Sequence, residues 1–346
     1  MRSIPWSVRK RFYERAATQV QNGRPLSAVL EEFRGQLEQR GRKKLAGEWR
    51  AVAARMRDGR TLAEAFGKKI PRMEYGMLDT GEKSGSLPDA MRMIVTVEER
   101  IGRVRNKLLA SFTSPAVYFA TLYGTLLIIA LKVVPVFAVV IPPQKWEGWA
   151  SVMYVMAEMT VSFMGLAVAL LVAVAIALAV WSLPRWNGKL RTNLDGWLFP
   201  YSIYRDIAGY DWLMRFAALL ASGVPDTAIL EDQIRGASPW LRHRLVAIHN
   251  GIRNGLDLGS AMRRAGTRFP SQDLIDEIAA YAAFKDFDKK IVLVADQYAE
   301  QLERRLTMLS VGLGLVFTFL MFMAFVVVQL GSNDISSQLS NTIGRF

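Results

Sequence analysis

Three long runs without a single charged residue constrain this chain more than any other feature. They cover residues 112–131, 159–183 and 307–330 and are 20, 25 and 24 residues long. A helix that crosses a bilayer needs about 20 apolar residues, and core helices of soluble proteins rarely stay uncharged over 18 or more. The runs therefore predict transmembrane helices at 112–134, 159–183 and 307–330. Buried helices of a soluble core are the alternative.

The rest of the chain offers little for catalysis or metal binding. It has no cysteine in 346 residues, which excludes disulfides, thiolate-held metals and a thiol nucleophile. His243 and His249 are six residues apart and do not share a helix face, so they are expected to be ordinary surface or core residues. The pair Gly67 and Lys68 lacks the upstream glycine and the Ser/Thr of a phosphate loop. We predict no catalytic residue, no cofactor, no metal site and no enzymatic activity.

The net charge of +13 is unevenly distributed along the chain. Residues 1–111 carry a net +11, whereas residues 184–306 carry +2. Nine cations flank the spans on the side of these two segments, and three lie on the other side: Lys132, Lys145 and Arg345. Because cytoplasmic flanks are enriched in Lys and Arg, both polar segments are predicted to be cytoplasmic. The N-terminus shows no signal peptide and is expected in the cytosol, and the C-terminal tail, 331–346, outside.

The segment between the first two spans, residues 135–158, is predicted to lie outside the membrane. Pro135, Pro142 and Pro143 are expected to stop the first span. The residues that lead up to Glu158 fit either a short interfacial helix or the outer end of a lengthened second span. In a short interfacial helix, Glu158 lies at the membrane surface, where water solvates its charge. Inside the bilayer its charge is costly and indicates a function.

The two polar segments are copies of one pattern. Residues 12–33 align with 212–233 without gaps, and seven of the 22 positions are identical. Both copies place Gly-x-Pro between a helix and an apolar-periodic run. The glycine suits a left-handed helix end, and the proline presets the backbone for the next helix. These predicted structural turns are Gly23, Pro25, Gly223 and Pro225.

The repeat continues with matching helix signals. Thr61 and Glu64 fit a capping box, and Asp257 takes the capping position in the second copy. Neither copy shows the sustained alternation of a strand. We therefore predict an all-α, polytopic membrane protein with two cytoplasmic bundles of five or six short helices, at 1–111 and 184–306, and three spans.

The sharpest local motif is Gly-Glu-x-Ser-Gly at residues 81–85. Gly81 and Gly85 are expected to end one helix, and Ser86 to cap the next. Glu82 lies in the turn between them. Its carboxylate either accepts hydrogen bonds from free backbone amides or forms a contact site for a partner.

The duplicated helical domain with Gly-x-Pro, the motif at 81–85 and the three spans resemble the inner-membrane platform proteins of type II secretion systems and type IV pili. The resemblance covers roughly residues 10–330. The second copy departs from it at 281–288, where the Gly-Glu-x-Ser-Gly turn is missing. The short segment before the first bundle resembles type IVb or thin-pilus members.

The resemblance implies a non-enzymatic platform in the bacterial inner membrane, with a periplasmic C-terminus. Its implied partners are a cytoplasmic hexameric assembly ATPase, pilin subunits, other inner-membrane assembly proteins and further copies of itself. By position, Gly81, Glu82 and Gly85 are expected on the ATPase side. Lys132 and Glu158 are expected on the pilin side. The basic first bundle would steer acidic partners.

Two other functions compete with the platform. A channel or transporter subunit would place charged or broken helices in mid-membrane, and these runs are uninterrupted. A membrane-tethered nucleic-acid binder would interleave aromatic and basic residues, and residues 1–111 do not. Anionic membrane lipid, which attracts each nearby Lys or Arg by about 1 kcal/mol, accounts for the basic charge as well. We therefore expect contact with lipid and no contact with nucleic acid.

Overall fold

The computed structural model describes residues 3–111, 113–282, 284 and 286–343. Within these residues the regular elements are helices, and no strand occurs, which confirms the all-α prediction. The start of the predicted first span, Phe112, and the flanking cation Arg345 lie outside the described residues.

The chain divides into two compact units. The first, here called the bundle unit, comprises Met1–Arg105 and Leu183–Gln301 and contains both copies of the repeat. The second, here called the membrane unit, comprises Asn106–Ser182 and Leu302–Phe346. Each unit is thus built from two stretches of chain that are distant in sequence.

The first copy of the repeat folds around an aromatic core. Phe12 packs edge-on against Phe33, Trp49 and Phe66, with ring centroids 5.4, 5.7 and 6.0 Å away. All four side chains are buried. The helices that supply this core are α1 Trp6–Gln21, α2 Leu26–Gln39, α3 Lys43–Arg57, α4 Leu62–Phe66, α5 Arg72–Lys83 and α6 Leu87–Ser111.

The membrane unit contains long apolar helices whose side chains are largely exposed. Three helices are long and apolar enough to cross a membrane: Thr113–Val140, Phe163–Ser182 and Lys289–Ser340. The elements of the first and second spans and the segment between them are α7 Thr113–Ile128, a π-turn Ile129–Val133, α8 Val134–Val140, α9 Gly148–Val161 and α10 Phe163–Ser182.

The second copy repeats the first with a core of its own. Phe269 packs against Trp212 and Trp240 with ring centroids 5.4 and 5.6 Å away. The helices that follow the second span are α11 Lys189–Trp197, α12 Tyr201–Ala221, α13 Asp226–Gly236, α14 Pro239–Arg253, α15 Leu258–Ala265, α16 Gln272–Tyr281 and α17 Phe287–Ile343. The last of these contains the third span.

The predicted turns of the repeat are present in both copies. Gly23 and Gly223 adopt left-handed φ values of +83° and +87°, which glycine accepts without strain. Pro25 and Pro225 directly precede α2 and α13, and their carbonyls accept hydrogen bonds from the first turn of each helix. Both Gly-x-Pro segments therefore form a turn between two helices.

The predicted caps are also confirmed. Thr61 and Glu64 form a reciprocal capping box at the start of α4. The Asp257 side chain accepts a hydrogen bond from the Ser260 amide at 2.9 Å, at the start of α15. Both copies thus begin this short helix with a side-chain cap.

Pro135 does not stop the first apolar helix, contrary to the sequence prediction. The helix continues to Val140 through the π-turn Ile129–Val133. Proline lacks an amide hydrogen, and its ring crowds the carbonyl four residues earlier, so a widened turn accommodates it. The apolar helix extends six residues beyond the predicted end of the span at 134.

The segment before Glu158 belongs to a helix of its own and does not form the outer end of a lengthened second span. Helix α9 ends at Val161, and Ser162 has an extended backbone, with φ −69° and ψ 158°. The second apolar helix therefore begins at Phe163, four residues later than predicted. Beyond residue 330 the predicted tail continues the helix α17 to Ile343.

Helix α9 is held against the C-terminal part of α17. The Trp149 amide donates a hydrogen bond to Asp334 Oδ2 at 2.8 Å. Gly331 lies so close to the Trp149 carbonyl and to Met153 that a side chain on it would crowd both. The segment between the first two apolar helices is thus a packed part of the membrane unit.

Candidate partner-binding surfaces

Glu82 supports the fold of the first bundle directly. Its Oε2 accepts a hydrogen bond at 2.7 Å from the amide of Leu62, the first residue of α4. Burial raises the pKa of the Glu82 carboxyl, while the bond from Leu62 opposes the rise. The carboxylate therefore satisfies a helix-terminal amide, one of the two roles that the sequence suggested.

Gly81 does not end a helix, contrary to the prediction. It lies inside α5 and is buried against α6, where a β-carbon would collide with that of Ala90. Gly85 does form the turn, with φ +72°. The motif therefore combines a close helix contact, a capping carboxylate and one true turn glycine.

The exposed part of this turn is small. Lys83, Ser84 and Gly85 are exposed, whereas Glu82 is half-buried. Lys83 pairs with Asp79 at 2.7 Å within the same helix. A partner that binds here meets these three residues before it meets Glu82.

A cluster of positive charge in the first copy runs from the connection after α2 into the first two residues of α3. Its four cations are exposed, and no ion pair among the described residues includes any of them. The corresponding connection between α13 and α14 is uncharged. We call these four residues the basic loop: Arg40, Arg42, Lys43 and Lys44.

A buried ionic network that the sequence did not reveal ties α1 to α5. Arg9 Nε and Nη2 donate to the two carboxylate oxygens of Glu74 at 2.9 and 2.8 Å, and the Tyr13 hydroxyl donates to the same group at 2.8 Å. Burial raises the pKa of Glu74, against the opposing effect of Arg9 and Tyr13. Each polar group has its partner, so the network is structural.

A second buried network joins α11 to α14. Asp195 accepts hydrogen bonds from Arg191, Arg244 and Trp240 Nε1, the last at 3.2 Å. Burial lowers the pKa of Arg244 to about 10, although Asp195 opposes that shift. Two guanidinium groups thus share one carboxylate in the interior of the second bundle.

The two copies of the repeat also contact each other through ion pairs within the bundle unit. Arg72 Nε donates to Asp232 Oδ1 at 2.6 Å. Arg215 bonds both Glu98 and Asp211, and the two carboxylates outweigh burial and raise the pKa of Arg215. The interface between the copies is therefore partly ionic.

The two residues expected on the pilin side are both exposed in the membrane unit. Lys132 lies in the π-turn, and Glu158 lies on α9 among exposed apolar side chains such as Val155 and Met159. No ion pair within the described residues includes either charge.

Metal ligation is not indicated in the described part of the chain. No group of three or more His, Asp or Glu side chains is close enough there to hold a metal ion. His243 is exposed, and the buried His249 has its Nε2 3.6 Å from Glu231 Oε1.

Comparison with known proteins matches both copies of the repeat to one family. The model of the type II secretion system protein F family matches residues 12–135 and 212–331, which is more than half of the chain. The two matches begin at the same positions as the two aligned copies, so they confirm the internal repeat.

Individual relatives come from both kinds of machine. The toxin coregulated pilus biosynthesis protein E of Vibrio cholerae is 23% identical over 262 residues, 75% of each chain. The type IV pilus assembly protein PilC of Pseudomonas aeruginosa is 24% identical over 306 residues, 84% of this chain and 79% of that protein. The type II secretion system protein F of Xanthomonas campestris is 24% identical over 284 residues, 75% of this chain and 65% of that protein.

The fold agrees with these matches. Each match takes in one helical bundle and one apolar helix that follows it. With the repeat, the three membrane-length helices and the Gly-x-Pro turns all in place, the chain belongs to the type II secretion system protein F family of pilus and secretion assembly proteins, which reside in the inner membrane.

Proposed function

We propose that this protein is a non-enzymatic platform in the bacterial inner membrane, which couples a cytoplasmic hexameric assembly ATPase to the insertion of pilin subunits into a filament. The observation that carries the proposal is the family match to both bundles together with the apolar helices that follow them. Other inner-membrane assembly proteins and further copies of the chain complete the assembly. Coupling needs no active site, because the ATPase supplies the free energy.

In this proposal both helical bundles face the cytoplasm, and the segment around α9 and the C-terminal tail face the periplasm. The cations that flank the apolar runs support this orientation. It leaves the whole bundle unit available to the ATPase.

The basic loop is the strongest candidate for the ATPase contact, together with the turn at Gly81, Glu82 and Gly85. These four exposed cations form no ion pair with any described residue, so they attract an acidic surface and speed encounter at low salt. The second copy has no such loop, so the two copies would hold different partners. The turn adds backbone groups and Lys83, while Glu82 keeps its place under α4.

The test is co-purification of the full-length protein with its ATPase from membranes. The variant R40E/R42E/K43E/K44E should lose most of the bound ATPase. The control R242E/R253E/R264E/R268E makes the same change of charge in the second copy and should retain it. Equal binding by both variants would reject the basic loop as the contact.

On the membrane side, we propose that Lys132 and Glu158 face the pilin. Both are exposed charges on otherwise apolar surface, where they favour a partner with charges at matching depth. The variants K132Q and E158Q should reduce photocrosslinking between the membrane unit and pilin, with V139Q on α8 as control. A crosslink yield unchanged in K132Q and E158Q would remove these residues from the pilin contact.

A channel or transporter subunit remains the second candidate function. Its specific support is the break between α9 and α10 at Ser162, since broken helices line many transport sites. Solute flux through vesicles that contain this protein alone would favour it over the platform.

A further inference from the structure

Helix α11 has two buried charged side chains and two large apolar side chains that are exposed. Arg191 and Asp195, one helical turn apart, are buried. Leu190 and Trp197, two turns apart on another face, are 72% and 74% exposed. A helix on a protein surface in water normally shows the opposite arrangement.

The inward contacts fix the rotation of this helix. The Arg191 guanidinium lies 4.2 Å from the centre of the Tyr201 ring, and the Arg244 guanidinium lies 4.0 Å from that of Trp240. Both guanidinium groups bond Asp195. Turning the apolar residues inward would leave these buried charges without partners, which is costly. Leu190 and Trp197 therefore stay outside.

The flanking residues extend the apolar surface. Trp186 before the helix and Phe199 after it are 37% and 54% exposed. We call the surface formed by Trp186, Leu190, Trp197 and Phe199 the α11 apolar face. Exposed apolar patches on a protein surface mark interaction sites. Tryptophan in particular favours the boundary between lipid and water.

The short connection between α10 and Trp186 indicates what covers this face. Helix α10, which is long and apolar enough to cross a membrane, ends at Ser182. Trp186 follows four residues later, so even a fully extended chain keeps it within about 14 Å of that end. The polar headgroup layers add about 5–8 Å to each side of the hydrocarbon core. The α11 apolar face therefore begins within reach of the lipid surface.

We propose that the α11 apolar face binds the lipid surface of the leaflet at which α10 ends, so that α11 is an interfacial anchor of the second bundle. Such helices bury their apolar side chains about 5–10 Å into the boundary between headgroups and acyl chains. Arg185 in the same stretch of sequence adds attraction for anionic headgroups. The anchor requires that α10 spans the membrane and does not depend on the identity of the protein partners.

The position of α11 in the chain supports a role separate from that of the bundles. The second family match begins at residue 212, within α12, and α12 aligns with α1 of the first copy. Helix α11 therefore lies before the repeated part. It is the element that links the second span to the second bundle.

The absence of cysteine makes a direct test possible. The full-length variant W197C carries a single thiol for an environment-sensitive fluorophore, and L190C is a second, independent probe. Each labelled protein is reconstituted into vesicles of phosphatidylethanolamine and phosphatidylglycerol. Lipids that carry a spin label near the headgroup should quench both probes, and aqueous iodide should not.

The control is V246C on α14, a partly exposed apolar position in the same bundle. Its probe should be quenched by iodide and not by the spin-labelled lipids. Circular dichroism confirms that each labelled variant keeps its helices. Iodide quenching of the probes at 190 and 197 would overturn the proposal, and protection from both quenchers would do so too, because a protein then covers the face. Loss of ATPase or pilin binding does not alter these readings.

Discussion

Arg9 and Glu74 form a buried ion pair. Removing one partner is expected to destabilise the fold more than replacing both partners with apolar residues. The variant E74Q leaves the buried Arg9 guanidinium with a neutral partner, and E74L leaves it with none. Breaking a buried pair by removing one partner costs about 3–5 kcal/mol, whereas replacing both with apolar residues is often nearly neutral. We expect E74L to lower the free energy of unfolding by several times more than R9M/E74L. Thermal unfolding of the detergent-solubilised protein measures both, and equal losses would contradict the structural role of the network.

Asp257 gives a pH-dependent contribution to the second bundle. Partial burial acts to raise its pKa, but hydrogen bonds from Ser260 and neighbouring amides outweigh this and hold the pKa below its ordinary value. The cap therefore stabilises the fold at pH values above the ordinary Asp pKa of about 3.9 and is lost as the pH falls through the lower folded pKa.

Two substitutions test this cap. D257A should destabilise the protein by about 1 kcal/mol at neutral pH, the usual effect of losing an N-cap. D257N keeps a capping oxygen and should retain most of the stability at neutral pH. Because the amide does not titrate, this variant should lose the contribution of residue 257 to the pH dependence of stability. Unfolding midpoints measured across the acidic range compare the three proteins. An acid dependence as steep in D257N as in the natural protein would count against the assignment.

At the scale of elements, the contact between α5 and α6 depends on the absence of a side chain at Gly81. G81A should push the two helices apart and cost about 1–3 kcal/mol, because overpacking a tight contact is destabilising. A90G on the facing helix should recover part of that loss. G102A in α6 is the matched control, since its added methyl group meets no neighbour and alanine favours the helix. Thermal unfolding separates the four proteins. If G81A unfolded no earlier than G102A, the close contact would be refuted.

Elements with local signals were predictable from the sequence, and elements set by long-range packing were not. Thr61 and Asp257 stand next to the amides that they cap, and Gly23 and Gly223 next to the helices that they end. Gly81 looked like a turn residue because the sequence cannot show that Ala90 approaches it. The same holds for the candidate sites. The role of Glu82 depends on Leu62, twenty residues away. The basic loop became visible only because its cations are exposed and form no ion pair within the described part of the chain.

At the scale of the whole molecule, the proposed orientation makes a prediction that needs no knowledge of partners. The chain has no cysteine, so the variants K145C and K43C each carry a single thiol. Position 145 lies before α9 and position 43 lies in the basic loop, and both positions are exposed. A membrane-impermeant maleimide added to intact spheroplasts should label K145C, and it should label K43C only after the membrane is permeabilised. The reverse pattern would place the bundles in the periplasm and separate them from any cytoplasmic ATPase.

The π-turn before Pro135 has a geometric consequence for the outer end of the first apolar helix. Such a turn contains one residue more than the regular helical repeat, so it advances the side chains beyond it by about 100° around the helix axis. The face that α7 presents along its length is therefore not continued by α8. A deletion of one residue within Ile129–Val133 would restore regular winding and rotate Phe137 and Ile141 away from the core cluster on which they pack. In this helix the phase of the winding, and not only its apolar composition, determines which residues meet α9.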